Sequence, residues 1–217
     1  MPSGFGQGEP LILRDWQKDF IRNVYDPTNE DGTRRIRRAM LSVARKNGKS
    51  GLAAALVIAH LVGPEAKMNG EVYSAATDRH QAGHIYKMAR QMIELDPELS
   101  LMCKCMDSVK RIVCYHNGSF YVSLSADARR QHGFNPSFVI YDELAQALNR
   151  EMYDVLSTSF GAQKEGLLLV ISTQSSDPLS IMSELADDAI KQAAGFLDDP
   201  HFYGKVYYVP DVIDKRK

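Results

Sequence analysis

Ala39-Met40-Leu41-Ser42-Val43-Ala44-Arg45-Lys46-Asn47-Gly48-Lys49-Ser50 passes from an apolar run through a basic loop into Gly51 to Val62, a strongly helix-forming stretch stopped by Gly63-Pro64. Ala39 to Ala44 reads as a buried strand, and the Gly-Pro pair marks the end of the helix that follows. A strand, a loop closing in Gly-Lys-Ser and a helix form a known phosphate cradle. Backbone N–H groups at the helix start hold phosphate, the lysine reaches the outer phosphates and the serine hydroxyl ligates magnesium. The pattern G-x-x-x-x-G-K-[ST] is met except at its first glycine, where the chain has Val43. Taken alone, the stretch also fits a basic turn before a helix.

Two further segments bear on that choice. Phe138-Val139-Ile140-Tyr141 is a buried strand that ends in two adjacent carboxylates, Asp142 and Glu143. An acidic pair there is costly unless it works: in P-loop NTPases the first acid orients magnesium, and a following glutamate polarises the attacking water. One of the two carboxylates fits a helix N-terminus equally well. Leu167 to Ile171 is another buried strand, ending in Ser172-Thr173-Gln174. Such a polar tip can register whether the γ-phosphate is present, and it also fits a plain helix cap at Ser175, Ser176 or Asp177 before Pro178. Lys49 and Asp142 are 93 residues apart in the sequence, room enough for their strands to be neighbours in one sheet.

The remaining periodicity gives alternating helices and strands. Helices are expected at Asp15 to Val24, Asp78 to Leu95, Asn149 to Phe160 and Leu179 to Ala194. Strands are expected at Glu71 to Ala76 and near Lys205 to Val209, and a hairpin at Arg111 to Tyr115 and Ser119 to Ser125 around a two-residue Asn117-Gly118 turn. Strands apolar on both faces and alternating with helices predict an α/β fold with a mostly parallel central sheet flanked by helices.

With 44% apolar residues in 217, the chain can bury a full core, which excludes a disordered tail or a small disulfide scaffold. Its 26 basic and 27 acidic residues leave a net charge of −1, which excludes a histone-like surface. Contact with a polyanion is therefore expected to be local. Seven basic residues and no acid lie between Gly32 and Ser50, and Arg34-Arg35-Ile36-Arg37-Arg38 fits either a DNA contact or a solvated flank. Lys104, Lys110 and Arg111 are weaker DNA candidates. No groove-reading element is legible, so sequence-specific readout is not expected. Cys103, Cys105 and Cys114 fall short of a zinc set and are read as reduced thiols. The apolar runs are too short to span a bilayer and the start carries no signal, so a soluble intracellular protein is expected.

In this order, the motifs resemble those of the ATPase domain of tailed-bacteriophage large terminase subunits. Ala44 to Ser50 looks like that family's phosphate loop, which often lacks the first glycine and carries an early arginine. Trp16-Gln17 resembles its adenine-side glutamine, and Ser74-Ala75-Ala76-Thr77 with Gln81 its second-strand motif. Ser125-Ala126-Asp127-Ala128-Arg129-Arg130 is similar to its arginine-bearing loop. Tyr141-Asp142-Glu143 and Ser172-Thr173-Gln174 complete the set, which spans about Leu13 to Leu185.

The resemblance implies an additional-strand, RecA-like P-loop NTPase made of one ATPase domain over residues 1–217, with residues 1–30 on the adenine side. The family's nuclease domain is not expected in this stretch, which would be the ATPase portion, trimmed or naturally split. ATP and Mg²⁺ are the implied cofactors. Gln17, Arg45, Lys46, Asn47, Gly48, Lys49 and Ser50 would bind nucleotide, and Ser50 and Asp142 would hold magnesium. Glu143 would orient water, and Ser172, Thr173 and Gln174 would couple hydrolysis to movement. For transition-state charge, Arg45 would act in cis and Arg129 or Arg130 in trans, with Arg130 favoured by its spacing. The implied function is ATP-driven translocation of double-stranded viral DNA, gripped by its backbone, into a procapsid in the host cytoplasm. A portal protein, a small terminase subunit and a homo-oligomeric ring are the implied partners, no membrane is expected, and the resemblance allows a monomer for the isolated chain. A helicase-like or remodelling ATPase, a small-molecule kinase and a non-hydrolysing nucleic-acid-binding P-loop module are the alternatives.

Overall fold

Strands that are apolar on both sides need a helical layer on each, and the chain supplies both. The computed structural model describes residues 8–77, 79–124, 135–161 and 163–207, with backbone alone at 79–82. In chain order the elements are α1 (Asp15–Tyr25), β1 (Arg38–Ser42), α2 (Lys49–Leu61), β2 (Glu71–Ala76), α3 (Arg79–Leu95), α4 (Pro97–Met102) and β3 (Cys103–Met106). They continue with β4 (Arg111–Cys114), β5 (Phe120–Leu124), β6 (Pro136–Asp142), α5 (Glu151–Thr158), β7 (Leu167–Ser172), α6 (Ile181–Ala193) and β8 (Phe202–Val206). The eight strands form one sheet in the order β3-β4-β5-β2-β6-β7-β1-β8. From β5 to β8 every pairing is parallel, and β3 and β4 add an antiparallel edge.

The period-2 alternation of each strand sorts its side chains between two cores. Leu41, Val72, Phe138, Ile140, Leu169 and Ile171 pack with Leu52, Val57 and Leu61 of α2 and with Ile85 and Ala89 of α3. Met40, Tyr73, Val139, Tyr141, Leu168 and Val170 face the other way, against Tyr153 and Leu156 of α5 and Met182 and Leu185 of α6. Strand parity therefore decides which side of the sheet any polar residue at a strand tip will face.

Several expectations are corrected. Asn117-Gly118 does not make a two-residue turn, because β4 ends at Cys114 and β5 begins at Phe120. Asn117 Nδ2 and Ser119 Oγ both donate to the carbonyl of Leu61, at 2.9 and 2.7 Å. The loop thus closes the C-terminus of α2, whose last carbonyls have no partner within the helix. The sequence reading missed α4 and β3. Asp96 caps α4 through Glu98 N and Leu99 N ahead of Pro97, a start signal that lay in plain view. The last strand begins at Phe202, three residues before the expected Lys205, where it pairs with Arg38 of β1.

The arginine run is structural. Arg34 is 5% exposed, and donates to Ile36 O (3.1 Å), Glu65 Oε2 (2.8 Å) and the Glu165 carbonyl while its guanidinium lies over Tyr25. Arg37 donates to Gly166 O and Gln163 O, and Arg38 to Asp199 Oδ2. These contacts lie at the N-terminal ends of β1, β7 and β8, the edge opposite Lys49; they engage Arg34 and Arg37 within the fold, while Arg38 keeps an exposed side chain paired with Asp199. Beside them the ring of His60 stacks on Phe138 and its Nε2 meets Tyr25 OH at 2.9 Å, and burial holds that histidine well below its usual pKa. Among the described residues no helix is long and apolar enough to cross a membrane. Replacing Arg34 by Ala should cost roughly 2 to 4 kcal/mol of unfolding free energy in urea denaturation, because buried acceptors lose their donor. Arg34→Lys should not restore it, since one ammonium cannot serve three acceptors in a fork. Stability of Arg34→Lys equal to the parent would overturn that account.

Candidate functional site

The N-terminal turn of α2 and the tips of β1, β6 and β7 meet on the α2 side of the sheet. Val43 departs from the glycine pattern for a visible reason: its side chain is buried in the core and its N–H donates to Ser172 O at 3.0 Å, so the β1 ladder runs one residue past Ser42. The loop makes its left-handed turns later, at Lys46 (φ 66°) and Gly48 (φ 80°). At Gly48 this conformation suits glycine, which caps α2 immediately before Lys49. Helix α2 begins at Lys49, so Lys49 and Ser50 both lie in its first turn, two residues earlier than the periodicity predicts.

Lys49 is 7% exposed. Its Nζ donates to Val43 O at 3.0 Å and to Ala44 O at 3.5 Å, and lies 3.7 Å from Glu143 Oε1. Asp142, on the same face as Phe138 and Ile140, is also buried. Burial pushes its carboxyl up to about 6, the adjacent Glu143 charge adds to the rise, and Lys49 opposes it. Glu143 leaves the strand with φ 55°, ψ 42°, and its Oε2 accepts a long 3.5 Å hydrogen bond from Thr173 Oγ1.

The strand that ends in Asp142, β6, and the strand that leads to Lys49, β1, are not adjacent. β7 lies between β6 and β1, so the strand carrying Ser172-Thr173 separates the other two motifs and touches both. Gln17 is buried in the first turn of α1; its Oε1 accepts Arg14 N–H, and its Nε2 lies 3.7 Å from where a Cβ on Gly48 would stand. Asn47 bonds back to Ala44 O and accepts from Arg14 Nη1 at 3.5 Å. Arg45, Lys46 and Gln174 are exposed at the rim. Arg129 and Arg130, with the whole arginine-bearing loop, lie outside the described residues, and Gln81 falls in the first turn of α3. The sequence reading missed the backbone link between the segment after β6 and the tip of β7: Glu143 N–H donates to Ile171 O, and Ala145 N–H to Ser172 Oγ, each at 3.0 Å. No residue pattern signals such a bond, because a main-chain donor has no identity of its own.

The family described as "Terminase large subunit, ATPase domain" matches residues 15–191. The chain belongs to this family. It is 38% identical over 219 residues to the large terminase subunit of Enterobacteria phage HK97, which covers all of this chain and 42% of that protein. The crystal structure of the HK97 large terminase superposes with a TM-score of 0.83 over 96% of this chain and 42% of that one. The ATPase domain of the Thermus phage P74-26 large terminase, at 18% identity and a TM-score of 0.61, covers 86% of this chain and 83% of that one and shares the P-loop NTPase fold. The chain thus spans well under half the length of its HK97 relative.

The raised Asp142 carboxyl has a consequence for stability as well as for chemistry. A carboxyl whose folded-state pKa lies above its ordinary 3.8 favours the folded chain while protonated. That contribution is complete below about pH 4 and is lost as pH rises through about 6. In this terminase ATPase domain Asp142→Asn, which carries no charge to desolvate, should therefore be more stable than the parent at pH 8 by on the order of 1 to 3 kcal/mol. The difference should vanish toward pH 4 in melts without nucleotide or magnesium. Equal stability at pH 8 would mean that the carboxylate is solvated.

Proposed function

We propose that this chain hydrolyses ATP at the Lys49–Asp142–Glu143 corner and that hydrolysis drives double-stranded DNA into a preformed capsid. The observation that carries the reading is the convergence of one buried ammonium and two carboxylates at the start of α2, although Lys49 and Asp142 are 93 residues apart in the sequence.

Each group has work it is placed to do. The Lys49 ammonium is held by two main-chain carbonyls, so phosphate oxygens replace neutral acceptors with charged ones and strengthen its bonds. The first N–H groups of α2 point the same way and add the positive end of the helix dipole. Ser50 and Asp142 would hold magnesium: a hydroxyl and a carboxylate are the hard oxygen donors that this ion takes, alongside water and phosphate. When bound, magnesium neutralises phosphate charge as it develops. Glu143, 3.7 Å from the ammonium, would orient the attacking water and accept its proton. Gln17, buried with its Nε2 turned toward Gly48, would contact the adenine. Arg45, exposed on the loop, is the arginine for transition-state charge in cis, and Arg129 or Arg130 from a neighbouring copy is the one in trans.

As a motor the chain would work on the DNA backbone in a ring of copies, with a portal protein and a small terminase subunit, in the host cytoplasm. Residues 1–217 would form its single ATPase domain. The arginines already engaged at the far edge of the sheet leave DNA contacts to other surfaces. The substituted first glycine favours a second reading, a P-loop module that binds nucleic acid without hydrolysis. A phosphate-release assay with and without DNA separates the two. Lys49→Ala should lower turnover by about 100-fold or more. Glu143→Gln should lower it by about 100-fold or more while ADP still binds. Parent-like release from either variant would defeat the site, and no release from the parent would favour the second reading.

A further inference from the structure

The tip of β7 carries two hydroxyls on opposite faces of the sheet. Thr173 continues the alternation of Leu169 and Ile171 toward α2 and reaches Glu143. Ser172 continues that of Leu168 and Val170, toward α5 and α6, and is fully buried. A nucleotide held by the first turn of α2 lies on the far side of the sheet from the Ser172 hydroxyl. Direct sensing of phosphate by Ser172 does not fit that placement.

What Ser172 does touch is the segment that carries Glu143. Its Oγ accepts the Ala145 N–H at 3.0 Å, while two residues earlier the Glu143 N–H donates to Ile171 O at 3.0 Å. Between these two anchors Glu143 adopts the left-handed conformation, which a residue with a side chain adopts at a cost of roughly 1 kcal/mol or more and keeps only when its surroundings impose it. The chain then turns through Leu144 to Gln146 as a short 3-10 turn. The reversal sends the Glu143 carboxylate back across the strand tip toward Lys49 and Thr173. Ser42, the register partner of Ser172 on the same face, has a buried hydroxyl without a hydrogen-bond partner and does not share the Ala145 bond.

We propose that Ser172 is a positioning residue for hydrolysis: by pinning Ala145 from the back of the sheet, its hydroxyl holds the left-handed turn that aims Glu143 at the phosphate side. The inference rests on the ATPase reading above. It assigns Ser172 an action through Glu143, separate from the direct contact made by Thr173.

The test measures steady-state ATP hydrolysis and Mg-ADP affinity for the parent, Ser172→Ala, Ser172→Cys and Ser42→Ala, with Lys49→Ala as the control for the site itself. Ser172→Ala should lose about 10-fold or more in kcat, as a misaimed catalytic group does, with ADP affinity within about twofold of the parent. Ser172→Cys keeps the volume but offers a poor acceptor, so it should lose activity likewise and stands in if the alanine variant does not fold. Ser42→Ala removes a neighbouring buried hydroxyl and should stay within about twofold of the parent. Parent-like kcat in Ser172→Ala or Ser172→Cys overturns the inference. So does a loss of ADP affinity that matches the loss of kcat, since that is the mark of general damage to the fold. A parent that does not hydrolyse ATP, or a Lys49→Ala variant that does, overturns the ATPase reading instead.

Discussion

A buried ammonium needs oxygen around it, and the placement of Lys49 organises the rest of the molecule. Two carbonyls of its own loop and one carboxylate supply that oxygen. Those groups meet only if β1 delivers the loop, if β6 ends on the same face of the sheet, and if α2 starts at once after Gly48. Because β1, β7 and β6 run parallel, their C-terminal tips reach one edge of the sheet, and the alternation along each strand selects the face. Asp142 falls on the α2 side because it lies two residues after Ile140 and four after Phe138. A shift of one residue in β6 would send it into the layer of α5 and α6.

Much of this was legible before any coordinate. The apolar runs at Ala39, Phe138 and Leu167 are strands because nothing in them is polar enough to face water, and Gly48-Lys49-Ser50 marks the turn into a helix. What stayed hidden has physical causes. The sheet order, with β7 between β6 and β1, follows from packing among distant segments and leaves no trace in local pattern. Asn117-Gly118 carries the composition of a tight turn, but an unpaired carbonyl at the end of α2 outcompeted that preference. The arginine run shows the same limit: charge density predicts a surface, yet Arg34 found acceptors in Glu65 and the Glu165 carbonyl and went inside. The Ala145 to Ser172 bond could not have been read at all, since its donor is main chain.

Asp142 illustrates how a buried carboxyl weighs on the fold that holds it. Its burial and its charged neighbour make ionisation costly, and the Lys49 charge repays part of that cost. A cation brought to the same corner would repay more. The carboxylate at this corner is in this sense held at a cost that a nearby positive charge lowers.

Val43 gives the phosphate loop a firm root. Where a glycine would let the chain pivot, a buried side chain and a ladder bond to Ser172 hold the front of the loop to the sheet. A loop fastened in this way has its front half set by the sheet, and its left-handed turns fall in the later half, at Lys46 and Gly48.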